Sequence, residues 1–166
     1  MAIKEKEYVK ASELRSLSLD EMYKGSSIVL ENLSYDLNNI INTEGPITYN
    51  TLKERLRECF QVAKISGKAL DIIIPQLKKF NFEETDNLFD KTIWPDQGVY
   101  NIDYVRVGYQ RQIYDIPREE ISNVFKEYIN LGLAEEELFH KVLNYFGYQV
   151  LTKKAFEYLN FVYKKL

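Results

Sequence analysis

The chain has little with which to do metal or thiol chemistry. Its 166 residues include one cysteine, Cys59, and one histidine, His140. A lone cysteine excludes an intramolecular disulfide, and a lone histidine leaves no Cys/His set for zinc. No apolar run approaches the roughly 20 residues of a membrane-spanning helix. The first residues, with Lys4, Glu5, Lys6 and Glu7, lack the apolar stretch of a secretory signal, so the cytoplasm is the expected compartment. An excess of positive charge is also missing. The net charge is −3, so composition alone does not advertise a nucleic-acid binder. No Gly-x-x-x-x-Gly-Lys-Ser/Thr loop is present, which excludes a nucleotide-driven motor of that type. Pro95-Asp96 opens like a nuclease motif, but no acid-x-Lys follows it. The chain is therefore expected to carry no enzymatic activity, metal or cofactor of its own.

What is present is a globular composition, 45% hydrophobic and 28% charged, with 13 tyrosines and 9 phenylalanines. Much of the core, or of an interface, must be aromatic. From Ile28 the pattern is helical, with Leu30, Leu33, Leu37, Ile40 and Ile41 on one face. Ahead of it, Tyr8–Ala11 reads as extended and Ser16–Ser27 as a turn. Glu44-Gly45-Pro46 ends the helix, Gly as a C-cap and Pro as a breaker. After Ile47, Asn50 or Thr51 is the expected N-cap of a second helix, with Glu54 closing a capping box on Thr51. This helix carries Leu52, Leu56, Cys59 and Phe60. Ser66 caps a third, carrying Leu70, Ile73, Leu77 and Phe80, which Pro75 should kink or shorten. Residues 81–84 and 88–94 then read as two strands about a turn at 85–87. Helix, short strand, helix, turn, helix, hairpin is the order of a winged helix-turn-helix.

Part of this pattern occurs twice. Residues 52–80 align with 138–166 at a constant offset of 86. Leu52 meets Leu138, Leu56 meets Val142, Phe60 meets Phe146 and Ile73 meets Leu159. Ser66 meets Thr152 as a second N-cap, and Lys78-Lys79 meets Lys164-Lys165. Upstream, Ile116-Pro117 opens a helix with Ile121, Val124, Phe125, Tyr128 and Ile129, ended by Gly132. The fold expected is mainly α with a small β-wing: two tandem winged-helix-like units, the second without its wing. The divisions are an N-terminal extension at 1–27, a first unit at 28–96, a linker at 97–115 and a second unit at 116–166. The linker alternates Tyr100, Tyr104, Arg106, Tyr109, Arg111 and Tyr114. Such rings could stack on unpaired bases, although linker tyrosines more often pack on the domains they join.

Three segments carry a family resemblance: Glu44-Gly45-Pro46-Ile47, then Trp94-Pro95, then Ile113-Tyr114-Asp115-Ile116-Pro117-Arg118-Glu119-Glu120-Ile121. In this order they resemble a C-terminal domain of unknown function in large bacterial proteins that join a superfamily-1 helicase to a Vsr-like endonuclease. The resemblance covers about residues 28–166. The family's Gly-Phe-x-Arg feature stands here as Phe146-Gly147-Tyr148-Gln149, without its arginine. The resemblance implies DNA transactions for a parent protein or partner and assigns no activity to this piece.

His140 beside Glu136 and Glu137 reads as a solvated helical histidine, and Glu135-Glu136-Glu137 as acids that offset a helix dipole. Cys59 reads as packing. The expected nucleic-acid contacts are Lys64, Lys68, Lys78 and Lys79 around the third helix, Arg106 and Arg111 in the linker, and Lys154 and Lys165 on the last helix. That helix should pack through Phe156, Leu159, Tyr163 and Leu166, leaving Tyr158 and Phe161 on another side. Two aromatics there suit a partner surface, a homodimer among the possibilities. The functional expectation is an accessory module that docks DNA, weakly and without sequence preference, or the helicase or nuclease body itself. The alternative is a protein-interaction scaffold that never touches DNA.

Overall fold

The structure, a computed structural model, describes residues 2–15 and 18–166. Its elements are mainly helical, with two small sheets. Among the described residues no helix is long and apolar enough to cross a membrane. The chain forms two compact units. The first comprises Val9–Thr85 and Thr92–Val99. The second comprises the segment ending at Tyr8, Asp86–Lys91 and Tyr100–Leu166. The extension expected at 1–27 is thus divided between the units, and Ser16 of its expected turn lies outside the described residues.

In the first unit a short helix, α1 (Leu19–Lys24), precedes the long α2 (Ser27–Glu44). Leu33, Leu37, Ile40 and Ile41 of α2 are fully buried against α3 (Tyr49–Phe60) and α4 (Gly67–Lys78). Each such side chain removed from water contributes about 1.5–3 kcal/mol. Between α2 and α3 lies β2 (Ile47–Thr48), which pairs antiparallel with β4 (Lys91–Trp94). With β3 (Glu83–Asp86) they form a sheet in the order β2-β4-β3. Gly45 has an extended backbone at φ −71° rather than the left-handed turn of a glycine cap. It is glycine for space: a Cβ there would meet the Ile41 carbonyl oxygen at 2.5 Å and Pro95 Cδ at 2.8 Å. The N-cap of α3 is Thr48, not Asn50 or Thr51. Its Oγ1 accepts from Thr51 N at 3.3 Å, because β2 runs into the helix with no intervening residue. Glu54 accordingly pairs with Arg57, Nε to Oε1 2.9 Å, instead of closing a capping box. Helix α4 is continuous through Pro75 and ends at Lys78, before Phe80.

In the second unit β1 (Glu5–Glu7) pairs in parallel with β5 (Val105–Val107). A single 3-10 turn at Ile113–Asp115 leads into α5 (Arg118–Tyr128). Helix α5 packs on α6 (Glu135–Tyr145) and α7 (Lys153–Tyr163). The supposed linker is therefore part of this fold from Tyr100 onward. The hairpin turn sits at 87–90, about two residues later than expected. Asn87 is fully buried. Its Nδ2 donates to the Ile116 carbonyl at 3.3 Å, and its Oδ1 accepts from Arg118 N at 2.8 Å.

Taken separately, the units repeat each other. Helix α3 starts at Tyr49 and α6 at Glu135; α4 starts at Gly67 and α7 at Lys153. Both intervals equal the offset of 86. Ser66 Oγ accepts from Ala69 N at 3.2 Å, and Thr152 Oγ1 from Ala155 N at 3.1 Å. The turn between the helices passes through a left-handed residue at the same place, Gln61 (φ 55°) and Gly147 (φ 89°).

Candidate nucleic-acid interface

The face that α4 turns inward is Ala69, Ile73, Gln76 and Leu77. Helical periodicity then leaves Lys68, Asp71, Pro75, Lys78 and Lys79 exposed. On α7 the buried face is Ala155, Tyr158, Leu159 and Val162. Lys154, Glu157, Lys164 and Lys165 are exposed, with Phe161 half-buried among them. At the offset of 86 these outer faces correspond residue for residue: Lys68 to Lys154, Asp71 to Glu157, Pro75 to Phe161, Lys78-Lys79 to Lys164-Lys165. Core packing does not require the match at the charged positions, which are all exposed; Phe161 alone packs in part against the core of its unit.

The lysines differ in how much they are held. Lys78 Nζ lies 2.7 Å from Glu84 Oε1 and 3.3 Å from the Tyr49 hydroxyl. The hydrogen bond to Glu84 raises its pKa, and Tyr49, desolvated and donating to Glu84, is pushed up to about 12. Lys78 is therefore charged but largely neutralised by Glu84. Lys79 donates to Gln76 Oε1 at 2.6 Å, a neutral partner that leaves its charge intact. Lys68 rests 4.5 Å above the Tyr23 ring, and Lys64 is exposed in the turn before the cap. On α7, Lys154 lies 3.9 Å from the Tyr114 ring centre and 5.1 Å from that of Phe89. Lys165 Nζ and Arg118 Cζ lie 5.0 and 6.0 Å from the Phe161 ring centre. Aromatic faces attract these cations without cancelling them.

Three expected site residues are not available. Arg106 and Arg111 are buried, at 8% and 6% exposure, on the fully buried Glu120. Arg106 Nη2 donates to Glu120 Oε2 at 2.9 Å, Arg111 Nη1 to the same oxygen at 2.8 Å, and Arg111 Nη2 to Oε1 at 3.0 Å. Burial alone would raise the Glu120 carboxyl; the guanidiniums of Arg111 and Arg106 overcome it and hold it at about 2. These arginines are structural counter-ions and cannot reach phosphates. Tyr158, expected at a partner surface, is at 0% exposure. Its hydroxyl donates to the Ile116 carbonyl and lies 3.0 Å from Asn87 Oδ1. Conversely Phe156 and Leu166, expected to pack, are 40% and 44% exposed. The inner face of α7 is rotated toward Tyr158 because that ring can bury its body and still satisfy its hydroxyl.

Sequence reasoning also passed over Glu119. It is buried, its Oε2 is enclosed without a hydrogen bond, and Arg118 Nε is 3.7 Å away. Desolvation raises its pKa from 4.5 to about 7 despite Arg118. A raised folded-state value means that stability is full below the unfolded pKa and is lost as pH rises toward 7. Glu119→Gln should remove this loss. Urea midpoints across pH 5 to 8 should show a falling wild-type limb, on the order of 2–3 kcal/mol, and a flatter one in the variant. Identical limbs would contradict this.

Among the described residues no three His, Cys, Asp or Glu side chains group to hold a metal ion. His140 Nε2 is 4.0 Å from Glu136 Oε1, as the sequence spacing suggested. No family model, curated protein or solved structure matches the chain.

Proposed function

We propose that the chain is a non-catalytic module that docks nucleic acid through the outer faces of α4 and α7, as part of a DNA-processing system of the helicase or nuclease type. In this reading each unit is winged-helix-like, the second without its wing, and α4 and α7 are the second helices of their helix-turn-helix pairs, the ones that enter a groove. The observation that carries it is the exposed Lys-acid-apolar-Lys-Lys face that the two units share. Duplicated solvent-facing charge argues for a duplicated partner chemistry, because a core does not specify it.

The same faces set the expected strength. Asp71 and Glu157 stand at their centres and oppose phosphate. Neither helix carries an arginine, the residue best suited to bidentate guanine readout. Binding is therefore to the backbone, weak and insensitive to sequence, and Lys78 contributes less than Lys64, Lys68 and Lys79. A fluorescent duplex titrated at low salt should bind the wild-type protein, and Lys68→Glu with Lys79→Glu should weaken it about tenfold or more. No binding of duplex or single strand would leave the interaction-scaffold reading, for which the exposed Leu88 and Phe89, at 40% and 41%, are the apolar surface.

A further inference from the structure

The turn between β3 and β4 carries two large apolar side chains that belong to neither hydrophobic core, Leu88 and Phe89. They are 40% and 41% exposed. The turn itself is not loose. Asn87 is fully buried, and its side chain bonds the Ile116 carbonyl at 3.3 Å and Arg118 N at 2.8 Å. Asn87 N donates to the Asp90 carbonyl at 3.0 Å, and Leu88 N donates to Asp86 Oδ1 at 3.2 Å. Leu88 has φ 67°, a left-handed conformation that glycine or asparagine adopts readily and leucine rarely does. Turn chemistry alone calls for Gly, Asn or Asp there. This turn instead holds an aliphatic and an aromatic side chain out in solvent.

Phe89 also has a defined setting. Its ring meets the half-buried Tyr114 edge to face, with centres 6.4 Å apart and planes at 83°. Lys154 Nζ lies 3.9 Å from the Tyr114 ring centre and 5.1 Å from that of Phe89. Lys154 makes no hydrogen bond or ion pair with a described residue, so its charge is available beside an open ring. A protein partner needs about 800 Å² on each side, and one Leu and one Phe, each about two-fifths exposed, present a small fraction of that. A nucleobase needs only one ring face and a nearby cation for its phosphate.

We propose that Phe89 is a stacking platform for an unpaired base of a DNA strand, braced by Tyr114, with Lys154 on the adjacent phosphate. Bases within a duplex are stacked on one another and offer Phe89 no face, so the platform distinguishes unpaired from paired DNA. Asp86 and Asp90 flank the turn and oppose phosphate, so the ring carries most of the affinity. Lys154 joins this platform to the docking face of α7, and the platform rests on that reading.

Anisotropy titrations of the full chain at one low salt concentration test it with three labelled probes: an oligothymidylate of about 12 nucleotides, an abasic strand of the same length, and a duplex. The abasic strand has the phosphates without the bases. Wild type should bind the oligothymidylate about tenfold more tightly than the abasic strand. Phe89→Ala should abolish that difference and leave the abasic-strand and duplex affinities unchanged, Phe89→Trp should retain it, and Lys154→Gln should weaken all three. Equal wild-type affinity for the two single strands, or a difference that survives Phe89→Ala, would overturn the platform. So would a Phe89→Ala variant that alters sedimentation and not affinity, which would assign the ring to a contact between copies of the chain. Duplex binding alongside any of these results leaves the docking reading standing. Base-dependent single-strand binding without duplex binding would overturn groove docking and keep the platform, and no binding of any probe would overturn both.

Discussion

Replacing Glu120 with glutamine is expected to destabilise the second unit by about 3–5 kcal/mol, because two guanidiniums are then buried without their counter-ion. Glu120 is fully enclosed, and it holds not only the Arg106 and Arg111 side chains but also the Arg106 backbone N–H, at 2.8 Å. The amide keeps the shape and loses the charge. The pH dependence supplies an independent check. A carboxyl whose pKa is lowered from 4.5 to about 2 on folding contributes stability that is full above the unfolded value and is lost as pH falls toward 2. The shift corresponds to about 3 kcal/mol, in line with the substitution estimate. Urea unfolding at pH 7 should show the loss, and the acid limb between pH 4.5 and 2 should be shallower in Glu120→Gln. A variant as stable as wild type at pH 7 would contradict the counter-ion role of Glu120.

Tyr158→Ser is expected to cost about 3–5 kcal/mol, the range for truncating a large buried ring to a small residue. The ring is at 0% exposure, and removing its hydroxyl also strips a donor from the Ile116 carbonyl and a partner from Asn87. Tyr158→Phe isolates that second part and should cost about 1–2 kcal/mol. Phe161→Ser, at a half-buried ring beside Lys165 and Arg118, should cost about 1 kcal/mol or less. This order separates a core role from an interface role. If Tyr158→Ser instead left the unfolding midpoint unchanged and converted a dimer to monomers in sedimentation, the side chain would belong to an interface between copies of the chain.

The helices were legible because their stripes are regular. Leu33, Leu37, Ile40 and Ile41, and again Ile121, Val124 and Phe125, fall at spacings of three and four, and all are buried. The caps at Ser66 and Thr152 were legible for the same local reason, and the repeat made each support the other. What escaped was non-local. Strand β1 is Glu-Lys-Glu, exposed throughout, and pairs with a segment about a hundred residues away. Neither alternation nor hydrophobicity marks it. Arg106 and Arg111 read as solvated because a charge looks solvated until its partner is placed. The available signal was Glu120, an acid on the same stripe as Ile121 and Val124, which would have to find a buried cation. Glu44 at the end of α2 poses the same problem in the first unit, solved by Arg55 at 2.8 Å and by Ala11 N at 3.0 Å. Asn87 was assigned to a turn on composition, correctly, yet its side chain ties α5 and α7 to that turn, which no local pattern encodes. The outer lysines were the most legible part of the candidate site, since exposed charge at helical spacing needs no tertiary partner.

The salt dependence of duplex affinity tests the central claim most directly. The logarithm of the binding constant should fall linearly with the logarithm of salt concentration, with a slope of about −0.9 for each phosphate neutralised. If α4 and α7 are equivalent docking faces, Lys68→Glu with Lys79→Glu, and separately Lys154→Glu with Lys165→Glu, should each reduce the slope by about 2, and the four together by about 4. Arg106→Lys with Arg111→Lys, where the protein remains folded, should leave the slope unchanged. Slopes that do not respond to either lysine pair would contradict the account.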